Sequence, residues 1–256
     1  MGRIIAIANQ KGGVGKTTTA INLAACLAEA GKKILLIDCD PQGNATSGLG
    51  IDKDHLENSI YEVLLDECGI RQAMQAVDEV ENLTVLPSNV NLAGAEVELL
   101  EVEDKEYILS NTVDYIRDDY DYILIDCPPS LNILTVNAMT MADSVLVPIQ
   151  CEYYALEGIS QLIHTVELVQ ERLNPDLTID GVVFTMYDAR TNLSADVVAS
   201  VRENLNTKVY NTIIPRNVRL AEAPSHGLPI HLYDSRSSGA ESYRNLAREV
   251  IERRDI

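Results

Sequence analysis

The feature that most constrains the fold is a glycine-rich segment between an apolar run at residues 4–8 and a helical pattern that starts at Thr18. A turn of this kind between a strand and a helix points successive backbone N–H groups at an anion, on the positive end of the helix dipole. Glycines are needed because side chains would block the approach of the anion. The sequence therefore predicts a phosphate-binding loop formed by Gln10, Lys11, Gly12, Gly13, Val14, Gly15, Lys16, Thr17 and Thr18.

Two residues of this loop match roles in the general nucleotide-binding pattern. Lys16 takes the position of the lysine that reaches the β- and γ-phosphates, and Thr17 takes that of the hydroxyl that binds Mg²⁺. Gln10 stands where the pattern has its first glycine, and Lys11 follows it. Because Lys16 already neutralises phosphate charge, phosphate binding alone leaves Lys11 unexplained. A turn without a ligand is the alternative, and the flanking strand and helix argue against it.

The length of 256 residues fits one α/β domain that spans residues 1–256, so we look for one site. The five cysteines are an odd number without Cys-x-x-Cys spacing, which favours reduced thiols in the cytoplasm. The amino terminus lacks a basic segment followed by a long apolar stretch, and no apolar run approaches the ~20 residues of a membrane span. We expect a cytoplasmic protein without stable membrane insertion.

The formal net charge of −19 is unevenly distributed. Residues 206–256 contain eight Lys/Arg and six Asp/Glu, whereas residues 1–205 contain 12 and 33. A run of acidic residues at 96–106 is typical of a solvated helix face. The less acidic carboxyl-terminal part is therefore the better candidate for a surface that meets an anionic partner.

Apolar runs and helical patterns alternate along the chain. A continuous apolar run such as residues 34–37 is typical of a parallel strand buried on both faces. Beyond the first run, the patterns predict strands at residues 33–37, 83–86, 122–125, 144–149, 181–186 and 210–214. They predict helices at 18–30, within 59–67 and 91–117, and at 155–173, 194–205 and 239–253. This order predicts a doubly wound, mostly parallel sheet flanked by helices on both faces.

Polar clusters follow three of these strands, at residues 10–17, 38–44 and 126–130. In open α/β sheets, ligands bind outside the carboxyl ends of the strands. The three clusters are therefore expected to converge on one site.

The same clusters carry a family resemblance. The loop at 11–17, Asp38-x-Asp40-Pro41-Gln42 and Asp126-x-Pro128-Pro129 resemble the deviant Walker A ATPases of the ParA/MinD class, which are P-loop NTPases. Residues 42–46, 151–158 and 214–220 further resemble the chromosomal ParA (Soj-type) partition ATPases. The resemblance runs nearly from end to end, with the motifs in the order and spacing of the family.

The resemblance implies ATP and Mg²⁺ as ligands and gives roles to four residues. Thr17 would hold Mg²⁺ directly, and Asp126 would be the Walker B carboxylate that binds the ion or its waters. Asp40 would orient the attacking water, and Asp38 would lie in the second shell of the ion. For Asp38 and Asp40 a plain alternative stays open, since a carboxylate also caps strand-to-loop turns.

The resemblance also implies a second subunit. In the family, the lysine at the position of Lys11 crosses a dimer interface, so two subunits would sandwich two ATP molecules and Lys11 would act in trans. Pro215 and Asn217 resemble the segment that lines the adenine pocket, where an amide can read the base edge. We expect ATP rather than GTP, because no strand is followed by Asn-Lys-x-Asp.

Members of the family bind DNA without sequence preference through basic residues of the carboxyl-terminal region. Phosphate contacts need only accessible charge. The resemblance favours Arg190 and Arg219 first, followed by Arg216, Arg236 and Arg244. Ser238 and Leu228 stand where relatives often carry a basic residue, so the DNA footprint is expected to differ.

The leading hypothesis is an ATP-driven, nucleoid-associated partition switch, in which a ParB-like centromere-binding protein stimulates hydrolysis and release. A MinD-like membrane switch would need a carboxyl-terminal amphipathic helix with bulky apolar residues, and the tail at 246–256 lacks aromatic residues. An iron–sulfur reductase would need paired cysteines at the dimer interface. Glu152, Tyr153 and Tyr154 match the family without a chemical role, so packing or a dimer contact is the default interpretation.

Overall fold

The computed structural model describes residues 1–153, 155–205 and 208–254, with Arg254 described in its backbone only. The described strands form one sheet in the order β3-β4-β2-β5-β1-β6-β7-β8. The strands are β1 (Arg3–Ile7), β2 (Ile34–Asp38), β3 (Gln75–Ala76), β4 (Leu83–Leu86), β5 (Tyr122–Asp126), β6 (Ser144–Gln150), β7 (Thr178–Tyr187) and β8 (Val209–Pro215). Neighbouring strands run parallel except β3, which pairs antiparallel with β4 at the edge.

The helices connect these strands. They are α1 (Lys16–Glu29), α2 (Asn44–Gly48), α3 (Ile60–Leu64), α4 (Ile70–Ala73), α5 (Leu92–Glu98), α6 (Ile108–Val113), α7 (Ile133–Met141), α8 (Ala155–Arg172), α9 (Asn192–Asn204), α10 (Val218–Glu222), α11 (Ile230–Tyr233) and α12 (Ser238–Arg254). Short 3₁₀ turns lie at Lys53–His55, Leu99–Glu101, Lys105–Tyr107, Arg117–Asp119 and Ala223–His226.

Helices cover both faces of the sheet. One buried cluster joins alternate strand residues to helices α3 to α9, and the other joins the remaining strand residues to α1, α2, α10, α11 and α12. β2 and β5 are buried along their whole length because each has a neighbouring strand on both sides and helices above and below. The doubly wound, mostly parallel P-loop architecture predicted from the sequence is confirmed.

Six elements escaped the sequence analysis: the helices α2, α4, α7, α10 and α11 and the strand β3. Helix α7 is buried nearly all round, so its sequence lacks the polar face that reveals an amphipathic helix. Strand β3 has only two residues and is recognisable only from its pairing with β4. The helical region expected within residues 91–117 is also broken, since Asp104 adopts a left-handed conformation with φ of 51° between α5 and α6.

Helix α1 begins at Lys16, two residues before the predicted start, so the loop lysine belongs to the first helical turn. Tyr154, which matched the family segment at 151–158, lies outside the described residues. Within the described parts of the chain, the structure has no helix long and apolar enough to cross a membrane.

Candidate nucleotide-binding site

The phosphate-binding loop lies between β1 and α1, where the sequence places it. Gly13 and Gly15 have positive φ angles of 75° and 87°, a conformation that most side chains disfavour. Gly15 is the N-cap of α1, and among the described residues no side chain caps this helix start. Free backbone N–H groups at the start of a 14-residue helix fit the binding of an anion.

Lys16 is buried at the base of this loop. Its ammonium group is 3.3 Å from the carbonyl oxygen of Lys11, to which it donates a hydrogen bond. Burial lowers the pKa of Lys16, while the nearby carboxyls of Asp126 and Asp40 act in the opposite direction. The lysine therefore lies close to both carboxyls, at the point where the first, second and fifth strands end.

Asp38 and Asp126 occupy equivalent positions at the ends of the adjacent strands β2 and β5. Asp38 is fully hydrogen-bonded: Oδ1 accepts from the Asp40 N–H at 3.1 Å, and Oδ2 accepts from the N–H and hydroxyl of Thr46, both at 2.8 Å. Burial raises the pKa of the Asp38 carboxyl, and the hydrogen bonds from Thr46 oppose that rise. Asp38 therefore caps the turn that follows β2, which is the alternative role that the sequence left open for it.

The Asp126 carboxyl is different. It is completely buried, and neither oxygen has a hydrogen-bond partner of normal geometry among the described residues. Burial and the charge of Asp38 raise its pKa well above the usual range, while the nearby hydroxyl of Thr17 lowers it. Buried carboxyl oxygens without partners are costly unless a cation binds them. Asp126 and Thr17 supply the hard oxygen ligands that Mg²⁺ prefers, so these residues fit that ion.

Asp40 follows β2 on the rim of the site and is partly exposed. Its Oδ1 accepts a hydrogen bond of 2.9 Å from the Gln42 N–H, which forms a local turn. Its backbone carbonyl accepts from the Ser88 hydroxyl at 2.8 Å. Since a carboxylate has further lone pairs, the turn leaves room for Asp40 to accept a hydrogen bond from a water molecule.

A cavity of about 200 Å³ adjoins the loop on the side of β7 and β8. Gly15 and Thr18 line it from the loop, and Pro215 and Asn217 line it from the segment after β8. The residues expected to meet phosphate and those expected to meet the base therefore border one space. Further lining residues that the sequence analysis missed are Thr185, Met186, Ile214, Leu220, Ala221 and Tyr243.

Met186 is the most unusual of the missed residues. It adopts a left-handed conformation with φ of 52° within the last residues of β7. Its neighbour Thr185 donates a hydrogen bond of 2.7 Å to the carbonyl of Val14 and so ties β7 to the loop. The only sequence signal for this pair was its place at the carboxyl end of a predicted strand, where ligands bind.

The side-chain amide of Asn217 is held from both sides. Its Oδ1 accepts from the Arg219 N–H at 2.8 Å and caps α10, and its Nδ2 donates to the Ser238 hydroxyl at 2.9 Å. After these two bonds, Nδ2 still has one free donor hydrogen and Oδ1 one free lone pair, which is what recognition of a base edge needs. Ser238, which departs from the family pattern, thus orients Asn217.

Comparison with known proteins identifies a matching family model and close relatives of this chain. The family model AAA_31, described as an AAA domain, matches residues 2–179. The sporulation initiation inhibitor protein Soj of Bacillus subtilis is 59% identical over 98% of this chain and 98% of its own length. The chromosome partitioning protein ParA of Myxococcus xanthus is 54% identical over 99% of this chain and 89% of its own length.

The chain belongs to the ParA/Soj family of chromosome-partitioning ATPases. Among solved structures, that of a cobyrinic acid a,c-diamide synthase from Mycobacterium smegmatis, with bound ADP and magnesium, superposes with a TM-score of 0.89. That protein is 40% identical, and the match covers 100% of this chain and 96% of the other. The resemblance inferred from the sequence motifs is confirmed.

Lys11, the second lysine of this ParA/Soj-family loop, contacts its own subunit. Its ammonium group is 2.7 Å from Oε2 of Glu152, which follows β6. Its backbone N–H donates to the side-chain oxygen of Asn9 at 3.0 Å, and Asn9 in turn donates to the Pro148 carbonyl at 2.8 Å. The loop is thus anchored to the end of β6.

The basic residues favoured for DNA binding in this family member fall into three settings. Arg190 is exposed and forms a two-point ion pair with Asp188, and the Arg216 charge also lowers the pKa of Asp188. Arg219 pairs with Glu222 at 2.9 Å and lies 3.6 Å from Asp234, next to the exposed Arg236.

Arg244 is placed less favourably for DNA. It is half-buried, and its guanidinium donates two hydrogen bonds of 2.8 Å to the Glu29 carboxylate and a third to the Ser235 carbonyl. These bonds fasten α12 to the end of α1. The geometry supports a structural role for Arg244, while Arg190, Arg216, Arg219 and Arg236 remain accessible.

Proposed function

We propose that this protein is a Mg²⁺-dependent ATPase of chromosome partition, which hydrolyses ATP to ADP and phosphate. The observation that carries the proposal is the buried Asp126 carboxyl, which has no hydrogen-bond partner of normal geometry among the described residues and adjoins Lys16 and Thr17. The ionised form of such a carboxyl is costly unless a cation binds it, and a P-loop next to it supplies the matching anion site. The ADP and magnesium bound in the similar solved structure support this pairing.

ATP would bind along the loop and the adjoining cavity. Backbone groups of residues 12–15 and 18 would surround the phosphates, Lys16 would neutralise them, and Pro215 and Asn217 would border the base. Thr17 and Asp126 would hold Mg²⁺, with Asp38 behind them, and the ion supplies charge neutralisation at the phosphates. The bond of Lys16 to the Lys11 carbonyl uses one of the three donors of the ammonium group and leaves two for phosphate.

Hydrolysis would depend on Asp40 and Lys11. Phosphoryl transfer is chiefly a matter of positioning and charge stabilisation, so an acceptor that orients water is sufficient at the position of Asp40. Lys11 would cross to the nucleotide of a second subunit and act there as an additional positive charge. ATP-bound protein would therefore be a homodimer and ADP-bound protein a monomer.

The dimer would bind DNA without sequence preference and so associate with the nucleoid. Arg190, Arg216, Arg219 and Arg236 would make the phosphate contacts, and a ParB-like centromere-binding protein would stimulate hydrolysis and release. The names of the Soj and ParA relatives support this assignment. We treat residues 1–256 as a single ATPase domain.

Two other functions are less well supported. A MinD-like membrane switch would need an apolar face free for lipid, but the apolar residues of α12, among them Leu246 and Val250, are buried against the sheet. The name of the structural relative implies formation of an amide, and a reactive thiolate is one nucleophile that can serve in such acyl transfer. Burial raises the pKa of all five thiols here, which disfavours that role.

Co-sedimentation tests the proposal. The protein is spun with plasmid DNA and, separately, with anionic liposomes, under ATP, ADP and no nucleotide. We expect DNA binding that requires ATP and disappears in Lys16→Ala. Liposome binding that requires ATP, without DNA binding, would point instead to the membrane switch.

A further inference from the structure

Glu152 has no part in the function proposed above, yet it is the residue that holds Lys11. The distance of 2.7 Å between Lys11 Nζ and Glu152 Oε2 is that of a charge-assisted hydrogen bond. Both residues belong to the same chain, whereas the proposed function sends Lys11 to the phosphates of a second subunit. One ammonium group cannot keep this bond in full and also serve a phosphate on another subunit.

The backbone on both sides of this ion pair is anchored. The Lys11 N–H is bound by Asn9, and Asn9 is bound to the end of β6. The Glu152 N–H donates to the Gln150 carbonyl at 2.8 Å, and the Cys151 N–H donates to the Thr185 carbonyl at 3.3 Å. Lys11 can therefore leave Glu152 by rotation of its side chain, without unfolding either loop.

The ion pair is also weak enough to compete with phosphate. The Lys11 and Glu152 side chains are 35% and 45% exposed, and pairs with this exposure contribute little because water and salt screen them. A polyphosphate carries several charges and attracts an ammonium group more strongly than a single carboxylate does. The contact would give way when a second nucleotide approaches, and it would oppose dimerisation until then.

We propose that Glu152 is a positioning residue that retains Lys11 in its own subunit and so raises the protein concentration at which the ATP-bound dimer forms. The inference rests on the proposed function, in which Lys11 acts in trans. Glu152 does not itself touch the reacting atoms in this arrangement. Its removal should therefore change how readily dimers form and leave the turnover of a formed dimer as it was.

The test measures ATP turnover against protein concentration for the full chain and for Glu152→Gln, which keeps the shape and removes the charge. Each dimer releases two of these ion pairs, so we expect the concentration of half-maximal turnover to fall about four- to 25-fold, the square of the two- to five-fold factor that corresponds to one partly exposed ion pair. The plateau rate per subunit should stay the same. The difference should shrink in about 0.5 M salt, where exposed charges are screened.

Glu157→Gln is the matched control, since Glu157 is an exposed glutamate in the first turn of α8 and loses the same charge. It should behave as wild type. Glu152→Asp keeps the charge and should return the half-maximal concentration toward that of wild type, which also guards against a folding defect specific to glutamine.

Three outcomes would overturn the proposal: an unchanged half-maximal concentration in Glu152→Gln, a raised one, or the same decrease in Glu157→Gln. A raised value would mean that Glu152 strengthens the dimer. Sedimentation of the wild-type protein with ATP distinguishes a wrong role for Glu152 from a wrong proposed function. If wild type dimerises but Glu152→Gln has no effect, only the role of Glu152 is wrong, whereas absence of any ATP-dependent dimer would refute the proposed function itself.

Discussion

Asp38 and Asp126 lie directly opposite each other in the register of β2 and β5, and their hydrogen bonding is completely unequal. Asp38 accepts three hydrogen bonds, while neither oxygen of Asp126 has a partner of normal geometry among the described residues. Adjacent parallel strands bring the two carboxyls together, but only Asp38 is followed by the turn that supplies donors. The site therefore has one satisfied carboxyl that supports its loop and one that is available to a cation.

The unequal pair predicts a pH effect on stability. The folded-state pKa of Asp126 is raised above its unfolded value by burial and by Asp38. A raised folded pKa means that the stability contribution is fully present below the unfolded pKa and is lost as pH rises through the folded one. In the absence of divalent cations, the melting temperature should fall with rising pH, and Mg²⁺ should reverse part of that loss.

Asp126→Asn should reduce this pH dependence to the part that Asp38 contributes, since burial raises the pKa of that carboxyl too. It should also abolish stabilisation by Mg²⁺ with nucleotide, because the amide does not ionise and is a poorer ligand. Thermal melts across pH, with and without Mg²⁺-ADP, measure both effects. Asp40→Asn is the control, since Asp40 is partly exposed and should leave the Mg²⁺-dependent stabilisation in place. A wild-type slope in Asp126→Asn would show that another group titrates.

The burial of His231 predicts that stability falls as pH falls, which is opposite in direction to the effect of Asp126. It is buried in α11 between Glu29 of α1 and Arg244 of α12, and burial lowers its pKa from the usual 6.5. A lowered folded pKa favours the neutral ring, so stability should be lost as pH falls below about 6.5 toward the folded pKa. His231→Phe should weaken this loss in thermal melts, and His164→Gln, which changes an exposed histidine, should not.

Asp40→Ala should abolish turnover and keep the ATP-bound dimer. A positioned acceptor contributes about 10²- to 10⁴-fold to the rate, whereas nucleotide and Mg²⁺ are held by other residues. Phosphate release measures turnover, and sedimentation with ATP measures the dimer. Asp54→Ala, an exposed change nearby, should preserve both. Loss of the dimer in Asp40→Ala would show that the residue has a structural role, through the turn it forms with Gln42.

The ion pair between Arg190 and Asp188 predicts that DNA affinity is limited by Asp188. Arg190→Ala should keep the turnover rate and lower the DNA affinity several-fold. The slope of the logarithm of affinity against the logarithm of salt concentration should become smaller by about one. Asp188→Asn should strengthen DNA binding, because it frees the guanidinium and removes a nearby negative charge. Binding isotherms over a range of salt measure both changes. Equal affinity in wild type and Asp188→Asn would place the DNA contacts elsewhere, for example at Arg219.

Arg244→Ala should change stability rather than DNA affinity, unlike Arg190→Ala and Asp188→Asn. Its guanidinium joins α12 to α1 through Glu29, so we expect a lower melting temperature together with intact DNA affinity for the folded protein. The loss should be modest, about 1 kcal/mol or less, since the ion pair is partly exposed. Melting and DNA binding measured on the same preparation separate the two roles. Weaker DNA binding at unchanged stability would restore Arg244 to the DNA-binding set.

The sequence by itself determined the sheet and the place of the site. Short continuous apolar runs such as β2 and β5, alternating with helical patterns, are typical of central parallel strands, and the polar residues that follow such strands meet at one edge of the sheet. The loop glycines and Lys16 were equally determined, because a backbone anion site needs residues without side chains next to a helix start. These features depend on local geometry and on the side-chain period of strands.

Only the tertiary structure decided which polar groups are paired. Asp38 and Asp126 look alike in sequence, and the donors that distinguish them come from Thr46 and from the turn at Asp40. Glu152 meets Lys11 across 141 residues of chain, and Arg244 meets Glu29 across 215. Hydrogen bonds and ion pairs extend only a few ångströms, so contacts between distant segments depend on the folded packing. No periodic pattern in the sequence predicts these contacts.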